Sequence, residues 1–377
     1  MFIRSNDEGL FIFSSYVGLV YAIHKDNADE ILKWLETTNT PEFSYKKNSL
    51  YTNIGTTKDI IVQGWLCNVD IKQNICTLLP TIEYWKENNK TFNFPKKPLM
   101  INWLITGQCN FSCSYCYAQD LMNKNVQEPE NIIKVKKIAD DILNLNPLVV
   151  VLTGGEPTTS PFLKDIISYL YNKVGIILDT NGSYLNEELV SFLKSYDVVI
   201  RLSIDSFNKN INNMQRVASN PQNIINIEQA LDNCLKAETV VTVQTVVTNN
   251  NIHILESMFD DILKKKVKSW RLLKVQTSKF NKKNYLSLVS SEEKYKDIFS
   301  NIIKKYENLL NKNIKLQISE NNDSDANSVI LVSAEGNFYT EVPYQQKKIK
   351  IDINNLSNDI NYCAHYKRYL NILWEEC

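Results

Sequence analysis

The pattern of hydrophobic and polar positions changes twice along the chain and divides it into three regions. In residues 1–95, short apolar runs surround one amphipathic helix, which the spacing predicts over Ala28–Leu35. This mixture is typical of a small α+β unit. Two prolines between Phe94 and Pro98 indicate a linker, because proline donates no backbone hydrogen bond and breaks helices. The short apolar runs are Leu10–Phe13, Val17–Ile23 and Ile60–Leu66.

Residues 96–285 alternate short apolar runs with helical segments. Strands this apolar are typical of a parallel sheet that is buried on both faces. Six strands with intervening helices predict a partial (β/α)6 TIM-like barrel, with functional residues at the carboxyl ends of the strands. The predicted strands are Met100–Ile105, Leu148–Leu152, Gly175–Asp179, Val198–Ile204, Thr239–Val247 and Trp270–Val275. The predicted helices lie near 130–145, 161–172, 186–195, 222–236 and 252–266.

Residues 286–377 have a third, mixed pattern and form the last of the three predicted regions. The sequence as a whole therefore predicts an α/β protein, with a partial barrel and small α+β extensions on its N-terminal and C-terminal sides. The elements predicted in this last region are a helix near 291–311, a polar loop over Ser319–Asn327, hairpin strands at Ser328–Ser333 and Asn337–Glu341, and a helix over 361–375.

Charge and cysteine content narrow the class of protein. Lys and Arg number 42 and Asp and Glu also number 42, so no global field favours nucleic acid or an anionic membrane as a partner. We find no basic segment followed by an apolar core at the start, and no apolar stretch of about 18 residues that predicts a transmembrane helix. We therefore expect a cytoplasmic protein, whose eight cysteines are ligands or free thiols rather than disulfides.

Three of the cysteines, Cys109, Cys113 and Cys116, lie on one short loop directly after the first predicted barrel strand. Three thiolates on such a loop can bind three irons of a cubane cluster, which leaves the fourth iron open to a cofactor or substrate. A structural zinc site is the alternative, but zinc commonly takes four ligands, and the next cysteine is Cys234. The spacing therefore favours a 4Fe–4S cluster.

The C-x3-C-x2-C spacing, with Tyr115 directly before the last cysteine, resembles the signature of radical S-adenosylmethionine (radical SAM) enzymes. The resemblance implies that the open iron binds the amino and carboxylate groups of S-adenosylmethionine, with Tyr115 near the adenine. It also implies that one electron from the reduced cluster cleaves this cofactor to methionine and a 5′-deoxyadenosyl radical, which abstracts hydrogen from a substrate. Flavodoxin or ferredoxin is the expected reductant.

Gly154-Gly155-Glu156, at the end of the second predicted strand, resembles the family's GGE motif, which contacts the amino group of the cofactor. Glycines allow close backbone approach to a ligand, and a carboxylate attracts an ammonium group. Taken alone, these residues are explained more simply as a turn between a strand and a helix. Their place after the strand that follows the cysteine loop favours cofactor binding.

Four further candidates follow later barrel strands. Asn181 lies in a Thr-Asn-Gly segment that the family often has near the cofactor, although Asn-Gly is also typical of a plain turn. Ser203 and Asp205 resemble the family's Ser-x-Asp segment at the ribose and methionine end, and strand alternation points both to one face. Arg216 resembles an arginine that pairs with the methionine carboxylate in related enzymes, although a single arginine is more often simply solvated.

The regions outside the barrel bear on the substrate. The C-terminal region resembles the start of the SPASM or twitch-like extension of peptide-modifying members, but only Cys363 and Cys377 remain for an auxiliary cluster. Two thiolates cannot hold such a cluster alone; His365 is close enough in sequence to join them, and incidental thiols are the simpler explanation. Residues 1–95 either recognise a leader peptide by adding a strand or cap the barrel.

We therefore expect an enzyme that makes a radical on a substrate, which in the leading hypothesis is a ribosomally synthesised peptide. The alternative substrate is a small molecule or a nucleotide, which agrees with the few auxiliary cysteines. An alternative of another class is a non-catalytic iron–sulfur sensor or a structural metal protein. A sensor, however, has no need of Gly154-Gly155-Glu156.

Overall fold

The computed structural model describes most of the chain from residue 96 onward and short segments before it. The helix predicted over Ala28–Leu35 and the apolar run Ile60–Leu66 lie outside the described residues, as does Cys377. The described residues are 2–6, 9–14, 18–24, 43–46, 49–52, 96–116, 118, 121, 128–219, 225–267, 269–276, 282–306, 314–319, 326–342 and 347–369.

The described strands fall into two groups: five come before the predicted barrel, and the others lie within the barrel region or follow it. The strands before it are β1 (Phe2–Asn6), β2 (Gly9–Ser14), β3 (Leu19–His24), β4 (Phe43–Lys46) and β5 (Ser49–Thr52). The strands from the first barrel strand onward are β6 (Met100–Thr106), β7 (Phe111–Cys113), β8 (Val149–Gly154), β9 (Gly175–Thr180), β10 (Val199–Ser203), β11 (Arg216–Ala218), β12 (Val241–Val247), β13 (Ser269–Lys274), β14 (Lys315–Ser319), β15 (Ile330–Val332), β16 (Phe338–Val342) and β17 (Lys347–Ile351).

The helices alternate with the barrel strands and continue after them. No helix among the described residues is both long and apolar enough to cross a membrane. The α-helices are α1 (Ile132–Asn144), α2 (Leu163–Leu170), α3 (Glu187–Ser195), α4 (Lys209–Gln215), α5 (Ile227–Lys236), α6 (Leu255–Lys264), α7 (Lys282–Leu288), α8 (Glu292–Tyr306), α9 (Leu356–Asp359) and α10 (Tyr362–Tyr369). Short 3-10 helices cover Pro157–Thr159, Ile252–Ile254 and Ile353–Asn355.

Ten strands form one sheet in the order β14-β13-β12-β10-β9-β8-β6-β15-β16-β17. Neighbours from β14 to β15 run parallel, whereas β16 runs antiparallel to β15 and β17. The six predicted barrel strands are all present and are consecutive neighbours, and their ends differ from the prediction by one or two residues. The predicted α/β class with a partial barrel is confirmed.

Burial on both faces explains why the barrel strands are so apolar. Val149–Val151 in β8 have no solvent exposure. The helices cover the outside of the sheet through one apolar face, as α1 does with Ile138 and Ile142. Asn131 begins α1, because its side chain accepts hydrogen bonds from backbone N–H groups of the first turn.

The three-stranded sheet β1-β2-β3 packs on the end of the barrel where the strands begin. Phe13 lies against Gly175, the first residue of β9, so closely that a Cβ there would come within 2.2 Å of the ring. Phe11, Phe13 and Val20 are buried in the main hydrophobic core. These contacts favour the structural cap, and recognition of a leader peptide by residues 1–95 stays a prediction.

The C-terminal region contributes strands to the barrel sheet itself. The predicted hairpin is present as β15 and β16, and β15 pairs with β6. The sequence analysis missed β14, because Lys315–Ser319 alternates polar and apolar residues and contains no apolar run. Ser319, placed in a polar loop by the sequence, is the last residue of β14. The domain boundary between residues 285 and 286 stays a prediction.

His365 joins α10 to the first barrel strand. Its side chain is fully buried; Nε2 accepts a hydrogen bond from Leu99 N at 2.8 Å, and Nδ1 lies 2.6 Å from the Ser328 carbonyl. The matching tautomer carries its proton on Nδ1 and donates it to that carbonyl. Since both ring nitrogens are engaged, His365 is not available in this arrangement to bind a metal beside Cys363.

The burial of His365 should make stability depend on pH. Burial lowers the pKa of His365 to about 4, against an unfolded value of about 6.5. The fold therefore favours the neutral ring, and this stabilisation, present above pH 6.5, is lost as the pH falls towards 4, by up to about 3 kcal/mol. His365→Gln, which cannot titrate, should remove this pH dependence and lower the free energy of unfolding at neutral pH by about 2 kcal/mol. Guanidinium unfolding of both proteins at pH 7.5 and pH 5 measures the difference, and equal pH dependence contradicts it.

Candidate active site

The cysteine loop, residues 107–116, leaves the carboxyl end of β6 and is held at its start and middle. Thr106 Oγ1 and Gly107 N donate hydrogen bonds to Glu128 Oε1 at 2.6 and 2.8 Å. Cys113 ends β7, whose antiparallel pairing with β11 places it opposite Arg216. Cys116 N then donates to the Cys113 carbonyl at 3.1 Å and closes a turn. The three cysteines are therefore carried on backbone that other elements fix.

The glycine strip, Gly154-Gly155-Glu156, lies against the start of this loop. Gly155 N donates to the Thr106 carbonyl at 3.0 Å, and Glu156 N donates to the Gln108 carbonyl at 2.8 Å. A Cβ on Gly155 would lie 2.0 Å from the Gln108 carbonyl oxygen. Gly154 has φ +137°, and a Cβ there would lie 2.3 Å from the Thr106 carbonyl oxygen. The glycines thus permit the approach of two segments of the chain's own backbone, where the sequence analysis considered only the approach of a ligand.

Glu156 is 1% exposed, and its carboxylate accepts hydrogen bonds from the chain's own groups. Oε1 accepts from the Thr158 N and hydroxyl and from the Thr180 hydroxyl, and Oε2 accepts from Asn181 N at 2.7 Å. Burial raises the pKa of Glu156, and these hydrogen bonds act against that shift. Glu156 therefore ties the end of β8 to the end of β9. Its predicted contact with the cofactor amino group stays a prediction.

Asn181 faces the cysteine loop from the end of β9. Its Nδ2 donates to Asn110 Oδ1 at 2.8 Å, and its Oδ1 accepts from Ser183 N at 2.9 Å. Asn110 Nδ2 donates in turn to the Ser183 hydroxyl at 2.8 Å. The Asn181 side chain thereby holds the part of the loop between Cys109 and Cys113.

Tyr115 fastens the loop to two barrel strands through Asp205. The Tyr115 hydroxyl donates to the Asp205 carboxylate, which also accepts from Val246 N at 2.9 Å. Burial raises the pKa of Asp205, and the nearby Arg216 charge opposes this. Because its acceptor is buried, this hydrogen bond fixes the hydroxyl end of Tyr115 inside the protein.

Arg216 is 3% exposed and lies between the loop and β10. Its guanidinium group donates to the Ser203 carbonyl and lies 5.6 Å from the centre of the Phe111 ring. The structure thus gives Arg216 an internal partner, and it is not a solvated surface residue. Its pairing with a methionine carboxylate stays a prediction.

A cavity of about 290 Å³ at the carboxyl ends of the strands brings the predicted residues together. Asp205 is not one of the residues that line the cavity; it accepts a hydrogen bond from Tyr115, which does line it. The predicted residues that line the wall are Cys109, Cys113, Tyr115, Cys116, Gly154, Gly155, Glu156, Asn181, Ser203 and Arg216.

The three cysteines fit the ligand set of a 4Fe–4S cluster. Burial raises the pKa of the Cys109 thiol to about 11 and that of Cys113 to about 12, although the Arg216 charge opposes both shifts, so both thiols are neutral without a further cation beside them. A metal centre supplies that charge and holds the thiols as thiolates. Among the described residues, no three His, Cys, Asp or Glu side chains converge on one ion. A cubane, however, takes one thiolate on each of three irons.

The sequence analysis missed several residues of this site. Arg201, Arg271 and Arg368 line the deep part of the cavity. The available signal for the first two was a charged residue within an otherwise apolar barrel strand. Asn110 and Thr180, which hold the cysteine loop and the glycine strip, look like ordinary loop and strand-end residues in the sequence, and no signal there distinguishes them.

The fold and the site define a partial α/β barrel with three cysteines and a glycine strip at its mouth. Residues 103–262 match the family model described as the Radical SAM superfamily. An S-adenosylmethionine-dependent nucleotide dehydratase of Psychrobacter lutiphocae is 24% identical over 310 residues, which are 75% of this chain and 97% of that protein. A mycofactocin maturase of Mycobacterium ulcerans is 26% identical over 164 residues, and the match spans 42% of each protein.

Among solved structures, SuiB of Streptococcus suis bound to the precursor peptide SuiA has a TM-score of 0.61. The match covers 96% of this chain and 88% of that chain at 11% sequence identity, and this likeness shows the fold. The chain therefore contains a radical SAM domain, at residues 103–262. It is an enzyme that uses radical chemistry, which corrects the alternative of a non-catalytic sensor or structural metal protein.

Gly155→Ala should displace the start of the cysteine loop, because the new methyl group would meet the Gln108 carbonyl, which is part of the backbone. We expect iron content after anaerobic reconstitution to fall several-fold, since misplaced thiols no longer match the cluster. Gly336→Ala is the control: a Cβ at Gly336 would also have a close neighbour, the Ile138 side chain at 2.9 Å, and Gly336, unlike Gly155, has positive φ, at +87°, but it lies in the β15–β16 turn. Iron measured per folded chain should fall only in Gly155→Ala, and equal iron in both variants would contradict the role of Gly155.

Proposed function

We propose that Cys109, Cys113 and Cys116 hold one 4Fe–4S cluster and that the surrounding cavity wall binds S-adenosylmethionine. When bound, this pair supplies a one-electron reductive cleavage and a 5′-deoxyadenosyl radical that takes hydrogen from a substrate. The observation that carries the proposal is that the three thiols, the glycine strip and Ser203 line one cavity at the barrel mouth. Flavodoxin or ferredoxin is the expected electron donor.

In this proposal, the chain's own residues bind and orient the cofactor and shield the radical from water. The backbone of Gly154 and Gly155 faces the cavity where a cofactor amino group can reach it, while Glu156 keeps that backbone in place. Tyr115, held by Asp205, offers a fixed ring beside the adenine. These contacts keep the reacting groups close together and exclude water from a radical.

We infer that the substrate is a ribosomally synthesised peptide. Two comparisons support this: the fold likeness to a SuiB structure that contains a precursor peptide, and the sequence likeness to a mycofactocin maturase. In the three-stranded sheet β1-β2-β3, the described strand β5 lies beside β1, and β3 is the edge at which a peptide strand can add. Modification of a peptide in the barrel is therefore the leading proposal.

A nucleotide is the second candidate substrate. The nucleotide dehydratase of Psychrobacter lutiphocae matches over 97% of its length, and a second such enzyme from a Fibrobacter strain matches over 90%. Three arginines inside the cavity also suit an anionic ligand. These two observations favour a nucleotide over an uncharged small molecule.

The cluster proposal is tested on the full chain after anaerobic reconstitution with iron and sulfide. Cys113→Ala should lose the brown colour and produce no 5′-deoxyadenosine from S-adenosylmethionine and dithionite, because a cubane loses one of its three protein ligands. Cys234→Ala removes a buried thiol far along the chain on α5, and it should keep both properties. If wild-type protein with a confirmed cluster forms no 5′-deoxyadenosine, the proposal fails.

The substrate proposals are separated by adding candidates to the reconstituted enzyme. We expect peptides encoded by short reading frames beside the gene to raise 5′-deoxyadenosine formation several-fold and to change mass. The four ribonucleoside triphosphates serve as the competing set. Stimulation by a nucleotide and not by a peptide overturns the peptide proposal in favour of the second candidate.

A further inference from the structure

Three arginines share the deep part of the barrel cavity, at the level of Ser203 or below it as seen from the cysteine loop. Arg201 precedes Ser203 by two residues on β10, Arg271 lies on β13, and Arg368 comes from α10. All three line the main cavity, and all three also line a smaller cavity of about 80 Å³ that extends towards Gly18 and Met100. The arginines therefore form the boundary between the active-site cavity and the closed end of the barrel.

Strand register brings these side chains to neighbouring levels of the barrel. Ser203 is paired with Gln244, and Gln244 with Arg271, so these three stand at one level on β10, β12 and β13. Arg201 is paired with Asp179 one step below. The helix α10 lies across the start of β6, where the Tyr369 hydroxyl accepts a hydrogen bond from the Asn102 side chain at 3.1 Å. This contact positions the preceding residue, Arg368, at the same cavity.

The positive charge at this point is only partly balanced. Arg201 contacts Asp179 at 3.6 Å, whereas neither Arg271 nor Arg368 forms a salt bridge with any side chain that the structure describes. Glu341 also lines the cavity, but the carboxylate that the described contacts place beside the arginines is that of Asp179. The guanidinium groups thus outnumber the carboxylates described beside them. Lys274, a further cation of the wall, already pairs with Glu292 at 2.8 Å.

Holding three guanidinium groups close together costs free energy. Burial and the neighbouring charges of Arg201 and Arg368 together lower the pKa of Arg271 to about 10, although the Asp179 carboxylate opposes this shift. Like charges that share a desolvated site are stabilised only when an opposite charge joins them. Among the described residues the carboxylates do not balance these guanidinium groups, and an anionic ligand in the cavity would supply the missing charge.

We propose that Arg271 and Arg368, with Arg201 beside them, bind an anionic oxygen group of the substrate. A carboxylate or a phosphate fits, because the planar guanidinium fork donates two parallel hydrogen bonds to either group. The inference rests on the proposed function, since it places the substrate in the same cavity as the cofactor. It adds a requirement: the substrate carries this anion on the side away from the cysteine loop.

The test measures anion binding by the full chain, without S-adenosylmethionine, by calorimetric titration. Tripolyphosphate represents the phosphate source, and N-acetyl-glutamate amide represents the carboxylate source, with N-acetyl-glutamine amide as its uncharged match. We expect at least one anion to bind saturably at constant ionic strength, and the uncharged probe not to bind. Arg271→Gln and Arg368→Gln should each weaken that binding at least tenfold, as expected for the loss of a charge-assisted bidentate contact.

Two controls separate a binding role from a structural one. Lys350→Gln removes an exposed lysine on β17 and should leave anion binding unchanged. In low salt without the anion, Arg271→Gln should not lower Tm, because it relieves repulsion among the three guanidinium groups. An arginine that stabilised the fold would lower it. Arg271→Lys keeps the charge but lacks the fork, and it should bind the anion more weakly than wild type while remaining folded.

The outcomes are distinguishable from those of the proposed function. If tripolyphosphate alone binds, the anion is a phosphate; if the glutamate probe binds, it is a carboxylate such as an acidic peptide side chain. Equal binding by wild type, Arg271→Gln and Arg368→Gln, or no anion binding at all, overturns the inference. Formation of 5′-deoxyadenosine by the same wild-type preparation would then show that the cofactor chemistry stands without it.

Discussion

Two backbone hydrogen bonds, from Gly155 N to Thr106 and from Glu156 N to Gln108, join the end of the second barrel strand to the start of the cysteine loop. They can form only because the neighbouring positions have no Cβ, since a methyl group on Gly155 would lie 2.0 Å from a backbone oxygen. A loop that carries three partly buried cysteines has little internal structure to define it. Its geometry comes instead from this contact between backbones, and the placement of the thiols depends on it.

Polar side chains around the cysteine loop connect it to further barrel strands. Glu156 connects β8 to β9, Asn181 connects β9 to Asn110 of the loop, and Tyr115 connects the loop to Asp205 on the far side. Each of these side chains is engaged with the protein before any ligand arrives. A buried network whose donors and acceptors are matched is rigid, and rigid support is what a site needs if it is to hold a cluster and a cofactor in register.

Much of this could be predicted from the sequence, and the limits have physical causes. The six barrel strands are rich in Val, Ile and Leu, so most of their positions are visible as apolar runs, whereas β14 alternates polar and apolar residues over five positions and was missed. Cys109, Cys113 and Cys116 are close in sequence, so their spacing alone indicates a shared centre. Arg368 lines the same cavity as Arg201 and Arg271, although α10 comes long after the barrel strands in the sequence. No local sequence pattern reveals that these residues are close together in the fold. Glu156 was recognised as part of a motif, but its hydrogen bonds to Thr180 and Asn181 depend on strand order and could not be seen beforehand.

The attachment of α10 to β6 has a consequence for the order of events during synthesis. The amide of Leu99 finds its acceptor on His365, 266 residues later, and the free edge of β6 is covered only when β15 arrives. Contacts between such distant parts of a chain form slowly, because a long loop must close before they contribute. The nascent barrel therefore emerges from the ribosome with one open edge while its cysteine loop is already made. Iron–sulfur assembly before residues 330–365 have been translated would meet a loop whose supporting strand is still unpaired on one side.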